Sequence, residues 1–241
     1  MPRLKRYCVR VRQVYAKDRL GRPELLIFDF DGVVADSETI ANQSLADYLT
    51  CIGHPTSLDD AMRLFMGKRQ VDTLAAITTY IGRPIPDDFE TAYRARNRVV
   101  MRDSVRPVPG VAAFLETRVE FKRCVASSSS REWLDHCVDA FGFRAAFGQN
   151  LFSATLVANG KPAPDIFLLA AREMGAAPAS TIVIEDSPTG VMGAAAAGCS
   201  VIGFLGGSHV RAGHADKLLA AGAHAIARDY AEVAHLISQK S

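Results

Sequence analysis

Apolar positions in this chain gather in short unbroken runs, and stretches of helix length separate them. Glu24 to Phe30 (E-L-L-I-F-D-F) opens the series, continuously apolar until acidic residues close it. Such a run predicts a strand buried on both faces of a parallel sheet. Similar runs recur at Lys122 to Ala126, Thr181 to Glu185 and Ser200 to Leu205. Strands alternating with helices predict an α/β fold with a doubly wound parallel sheet. Ligands of such sheets bind at the carboxyl ends of the strands, so the residues that close each run hold the candidate chemistry.

Between Thr39 and Arg106 the texture changes. Ile40 to Ile52, Leu58 to Phe65 and Phe89 to Met101 are amphipathic at helical spacing, and no convincing strand intervenes. This predicts a helical insert, and Pro107, Pro109 and Gly110 punctuate the return to the core. The expected organisation is a basic extension over 1–23, a core over 24–38 and 107–241, and a helical cap over 39–106. The alanine run Ala194 to Ala197 is a good helix former that lets a helix lie close on a sheet.

With 241 residues, 49% of them hydrophobic, the chain can bury one large core or a core with a smaller companion. Cys8, Cys51, Cys124, Cys137 and Cys199 are scattered without metal-ligand spacing, as suits reduced packing thiols in a cytoplasm. No apolar run approaches the ~18 residues that span a bilayer, so a soluble, cytoplasmic monomer without a membrane partner is expected. The net charge of +2 hides a basic arm, since residues 1–22 hold eight Lys or Arg against one Asp. The arm has few apolar positions at helical spacing and no interleaved aromatics, which favours a solvated extension over a nucleic-acid or lipid contact.

Asp29-Phe30-Asp31-Gly32 sets two carboxylates two residues apart where the first run ends, so both point to one side of the chain. Like charges so close call for a cation or a protonation difference. Glu185-Asp186 ends another run and precedes Ser187-Pro188, a helix start, so carboxylates from two strand ends can converge. A hard, oxygen-rich site of few ligands suits Mg²⁺, which keeps waters and accepts phosphate oxygens. Ser127 to Ser130 follow a further run, and Ser129-Ser130-Arg131-Glu132 has capping-box spacing; a helix starting there offers free amides to a phosphate, although a plain turn reads the same way. Lys161 sits between glycine and two prolines in Gly160-Lys161-Pro162-Ala163-Pro164, a stiff connection that can hold an ammonium in place.

Taken in order, Asp-x-Asp-Gly-Val-Val, a strand ending in Ser, Lys-Pro-x-Pro-Asp and Glu-Asp-Ser resemble the haloacid dehalogenase superfamily, in particular its β-phosphoglucomutase-like phosphatases, from about Leu25 to Ala234. The resemblance implies a Rossmann-like core with a helical cap over the active site. By motif it makes Asp29 the nucleophile that becomes an aspartyl phosphate, and Asp31 the general acid and base. Ser127 and Lys161 would hold the transferring phosphoryl group, with Ser128 beside it. Mg²⁺ would rest on Asp29, the Asp31 carbonyl and Asp186, with Glu185 binding directly or through water.

Two departures refine the expectation. Dehalogenating members lack the second acidic residue, which Asp31 supplies here. The mutases carry a hinge histidine where this chain has Ala41, and Gly67-Lys68-Arg69-Gln70 sets its arginine one step earlier than their cap loop. Lys68 and Arg69 are candidate contacts to an anionic or polyol substrate, or else a solvated pair. The expected activity is Mg²⁺-dependent hydrolysis of a sugar, sugar-acid or polyol phosphate. A hexose-phosphate mutase is the alternative enzyme, and a nucleic-acid binder using the basic arm is the alternative from another class.

Overall fold

A computed structural model of the chain describes residue 20 and residues 23–66, 70–117 and 120–238. Lys68, Arg69 and nearly all of the basic arm lie outside the described residues. Six parallel strands form the sheet: β1 (Leu25–Phe28), β2 (Lys122–Ser127), β3 (Leu151–Ser153), β4 (Thr181–Glu185), β5 (Ser200–Phe204) and β6 (Ala225–Ala227). Their order is β3-β2-β1-β4-β5-β6, and every pairing is parallel. Winding runs outward in both directions from β1 and β4, which makes their carboxyl ends the switch point of the sheet. The doubly wound, Rossmann-like fold expected from the sequence is therefore present.

Helices cover both faces. α1 (Glu38–Cys51), α2 (Leu58–Leu64), α3 (Gln70–Ile81) and α4 (Phe89–Ser104) form the helical cap; α5 (Val111–Thr117), α6 (Arg131–Ala140), α7 (Arg144–Phe147), α8 (Asp165–Glu173), α9 (Pro188–Ala196), α10 (His214–Ala221) and α11 (Tyr230–Ser238) attend the sheet. Successive β1 side chains alternate between two apolar layers. Leu26 and Phe28 join the cluster with Phe114, Phe147 and Phe204, whereas Leu25 and Ile27 join Phe167, Val191 and Leu218. The unbroken apolar run thus reflects burial on both sides. The cap carries its own cluster, including Leu45, Leu49, Phe65, Ile77 and Phe89.

Three elements depart from the sequence reading. β3 and β6 are three-residue strands at the two edges of the sheet, too short to stand out as apolar runs. α3 adds a cap helix between two that the periodicity picks out. Ser130, not Ser129, caps α6, accepting from the Trp133 amide. The first strand also ends at Phe28, so Asp29 and Asp31 stand in the turn beyond it.

Candidate functional site

The turn after β1 is built around one carbonyl: the amides of Val33, Val34 and Ala35 all donate to the oxygen of Phe30. Gly32 sits in this turn at φ 82°, a conformation that glycine adopts without strain. A methyl group there would lie 1.8 Å from Asp186 Oδ2. The glycine therefore serves both the turn and the close approach of the β4 carboxylate. From the other side, Tyr230 of α11 donates its hydroxyl to the Val33 carbonyl at 2.9 Å, which ties the turn to the core.

Asp29 leaves this turn facing Lys161, whose Nζ lies 2.6 Å from Asp29 Oδ1 and 2.8 Å from Glu185 Oε2. The lysine side chain is only 5% exposed, and its ammonium stands 5.1 Å above the centre of the Phe167 ring. Burial works against that charge, but Asp29 and Glu185 overcome it and hold the lysine protonated well above its usual range. Burial also raises Asp29 far above the carboxylate range, with Glu185 and Asp186 adding to the rise and Lys161 opposing it. Asp186 is raised by burial and then by Glu185 and Glu38. One ammonium thus faces three buried carboxylates, and the local charge is short of cations.

Oxygens of Asp29, Glu185 and Asp186 lie within 4.8 Å of one another. This donor set fits a small hard divalent cation, and the raised acids show what such a cation would relieve. Glu185 is already engaged: Oε1 accepts from the Ser187 amide at 3.0 Å and hydroxyl at 2.7 Å, while Oε2 takes Lys161. Its carboxylate lies against the first turn of α9, where a side chain at Gly190 would come within 2.0 Å of it. Ser187 caps α9 with Pro188 next, as the Glu-Asp-Ser-Pro segment predicts.

Asp31 is held differently. Ser37 Oγ and Trp133 Nε1 donate to Oδ1 at 2.7 and 3.2 Å, and Ser129 Oγ donates to Oδ2 at 2.5 Å. The carboxylates that press on Asp29 are Glu185 and Asp186, not Asp31, so the crowding inferred from the two-residue spacing arises across strands. Asp29 and Asp31 do face one cleft, which Ser127, Ser128, Lys161 and Asp186 also line. At the end of β2, the Ser127 hydroxyl accepts from the Ser129 amide and the Ser130 hydroxyl accepts from the Trp133 amide. The Ser129 amide of the turn and the Trp133 amide in the first turn of α6 are thus already paired.

The sequence reading missed several groups. His209 Nε2 lies 3.1 Å from Asp186 Oδ2, and His214 Nε2 lies 2.6 Å from the Asp186 carbonyl oxygen. Burial lowers both imidazoles below their usual range. His209 follows Gly206-Gly207-Ser208 just beyond β5, so the strand-end rule alone would have flagged it. Ser37 and Trp133 carry no comparable signal, because only the fold brings them to Asp31.

A family profile for haloacid dehalogenase-like hydrolases matches residues 23–198. A conserved haloacid dehalogenase-like protein from Agrobacterium tumefaciens superposes with a TM-score of 0.82 at 34% identity, over 89% of this chain and 97% of that one. The 6-phosphogluconate phosphatase of Escherichia coli is 23% identical over 191 residues, 79% of this chain and 86% of its own length. Protein SUPPRESSOR OF QUENCHING 1, chloroplastic, of Arabidopsis thaliana is 31% identical over 189 residues; the match takes in 76% of this chain but only 18% of that longer protein. Among the described residues, no helix is long and apolar enough to cross a membrane. With its parallel sheet, its cap and the strand-end carboxylates in place, the chain belongs to the haloacid dehalogenase-like hydrolases.

Proposed function

We propose that the chain is a cytoplasmic, Mg²⁺-dependent phosphatase of small phosphorylated metabolites, a sugar, sugar-acid or polyol phosphate, acting through an aspartyl phosphate on Asp29. The observation that carries this reading is the buried group of Asp29, Glu185 and Asp186 with Lys161 as its counter-charge. Such a group lacks positive charge until a cation joins it. Asp29, Asp186 and the Asp31 carbonyl would hold Mg²⁺, which supplies charge neutralisation for the phosphoryl oxygens. Glu185 acts behind them, orienting Lys161.

In the first half-reaction a carboxylate oxygen of Asp29 bonds to phosphorus as the ester P–O bond breaks, and protonated Asp31 gives its proton to the departing alcohol oxygen. In the second, Asp31 takes a proton from water; the water oxygen bonds to phosphorus, the bond from phosphorus to Asp29 breaks, and phosphate leaves. Ser37, Ser129 and Trp133 hold the Asp31 carboxylate in one orientation for both transfers. Ser127, Ser128 and Lys161 line the space for the phosphoryl group. Ala41 stands in α1 and bears no proton-transferring group, which favours hydrolysis over return of the phosphoryl group to a sugar.

The test is a panel of phosphorylated metabolites assayed for released phosphate, with Mg²⁺ and with EDTA. Phosphate release that stops in EDTA, returns with Mg²⁺ and falls by at least about 100-fold in Asp29→Asn is expected. Full turnover in EDTA, or a fully active Asp29→Asn, refutes the assignment. Glucose 6-phosphate forming from β-glucose 1-phosphate faster than free phosphate would replace hydrolysis by the mutase reaction.

A further inference from the structure

Beyond Asp31 the reaction cleft opens into a second one of about 450 Å³ between cap helix α4 and core helix α6. Asp31, Glu38 and Ser129 line both, so a single ligand can reach from one into the other. The volume suits a small polyhydroxylated chain. Its cap wall carries Arg94, Arg98 and Arg102, spaced four residues apart and hence on one face of α4. Arg102 is paired with Glu132 at 2.8 Å and Arg94 with Glu90 at 2.9 Å, whereas Arg98 has no ion pair among the described residues.

Two residues that line this space each carry a buried, unsatisfied polar atom. Asn97 Oδ1, on α4, and His136 Nε2, on α6, are buried and have no hydrogen-bond partner among the described residues. Buried polar atoms are normally paired, so two of them lining one cleft point to a ligand that pairs them. His136 stacks on Trp133 with ring centres 6.0 Å apart, which gives the core wall an apolar surface beside its polar edge. The acidic groups Asp31 and Glu38 lie at the reaction end and the unpaired arginine on the cap wall, so charge is graded along the cleft.

We propose that this cleft is a second anion subsite, which takes a carboxylate or a second phosphate at the far end of a phosphorylated polyhydroxy chain. Arg98 pairs with that anion, and Asn97 and His136 take hydroxyl groups along the chain. The proposal rests on the phosphatase reading for the position of the scissile phosphate, and it narrows the substrates to esters with a second negative group.

Binding measured by calorimetry in Asp29→Asn, with Mg²⁺ present, reads the subsite apart from turnover. The probes are matched pairs: 6-phosphogluconate against glucitol 6-phosphate for a carboxylate, and glucose 1,6-bisphosphate against glucose 6-phosphate for a phosphate. At least one dianionic partner should bind tenfold or more tightly than its match, and the preferred pair identifies the anion. Adding Arg98→Met should cut that preference to twofold or less, with Arg98→Lys restoring part of it and thermal unfolding confirming that each variant is folded. Equal affinities within both pairs, or a preference that survives Arg98→Met, overturn the proposal. Turnover of p-nitrophenyl phosphate by the unsubstituted protein tests the phosphatase reading separately. Preference without turnover removes that reading and keeps the subsite, turnover without preference does the reverse, and the absence of both removes both.

Discussion

Replacing Lys161 by methionine would keep most of the aliphatic stem beside Phe167 but remove the ammonium that lies 2.6 Å from Asp29 and 2.8 Å from Glu185. Three buried carboxylates would then share one small volume without a counter-charge. Removing one member of a buried ion pair costs about 3–5 kcal/mol, because the remaining charge stays desolvated. Protonation limits the loss, since a carboxylate held neutral gives up only about 1.4 kcal/mol for each pH unit by which the ambient pH exceeds its unfolded pKa. A loss of about 3 kcal/mol at pH 7 is therefore expected for the metal-free protein, or roughly 6–12 °C in Tm for a chain of 241 residues.

The pH dependence follows from the direction of each shift. Lys161 is raised, so its contribution is full below its unfolded pKa and disappears only in strong alkali; it is constant across pH 5 to 8. Asp29 and Asp186 are also raised, so the folded protein binds more protons than the unfolded chain, and their penalty grows as pH climbs above the unfolded carboxylate value of about 4. Removing Lys161 lifts both acids further. The stability difference between the two proteins should accordingly shrink from pH 7 towards pH 5. Urea unfolding at both pH values in EDTA measures it, with phosphate release as the parallel readout. A variant within about 1 kcal/mol of the parent at pH 7, or a difference that grows on acidification, would refute the role given to Lys161.

Other consequences follow from the same geometry. Gly32→Ala should abolish phosphate release and lower Tm, because the new methyl group would meet Asp186 Oδ2 at 1.8 Å in a turn at φ 82°; near-normal turnover would mean that the turn yields freely. Mg²⁺ at 100 times its Kd should stabilise the folded protein by about 2.7 kcal/mol, and a Tm indifferent to Mg²⁺ would count against the carboxylate group as its site. Tyr230→Phe leaves the Val33 carbonyl without its 2.9 Å donor and should cost about 1–3 kcal/mol in urea unfolding; no measurable loss would show that the turn after β1 is held by its own backbone bonds.

Length of pattern explains most of what could be read from the chain. β1, β2, β4 and β5 are four to six residues long, and their buried side chains alternate between two apolar layers, so each shows in sequence as a run of at least three apolar residues. β3 and β6 have three residues and are recognisable only as partners of neighbours already in place. Ser187 was legible as a cap because Pro188 follows it; the serine run was not, because four equivalent side chains compete for one position and only the packed turn sends Ser129 to Asp31 and Ser130 to the helix.

The sequence by itself determined where the reacting groups stand, since a carboxylate that ends a buried parallel strand must emerge at the ligand edge of the sheet. It also supplied Lys161 within a stiff segment. Only the tertiary structure decided which charges meet. Asp29 and Asp31 are two residues apart, yet Asp29 is pressed by Glu185 and Asp186 while Asp31 is held by Ser37, Ser129 and Trp133. Electrostatic energies depend on distance and burial, and Asp29, Lys161, Glu185 and Asp186, up to 157 positions apart in the chain, reach those distances only when the sheet stacks its strands side by side. The arginine-bearing wall of the second cleft has the same origin, because α4 and α6 line it together although the chain between them passes through α5 and β2.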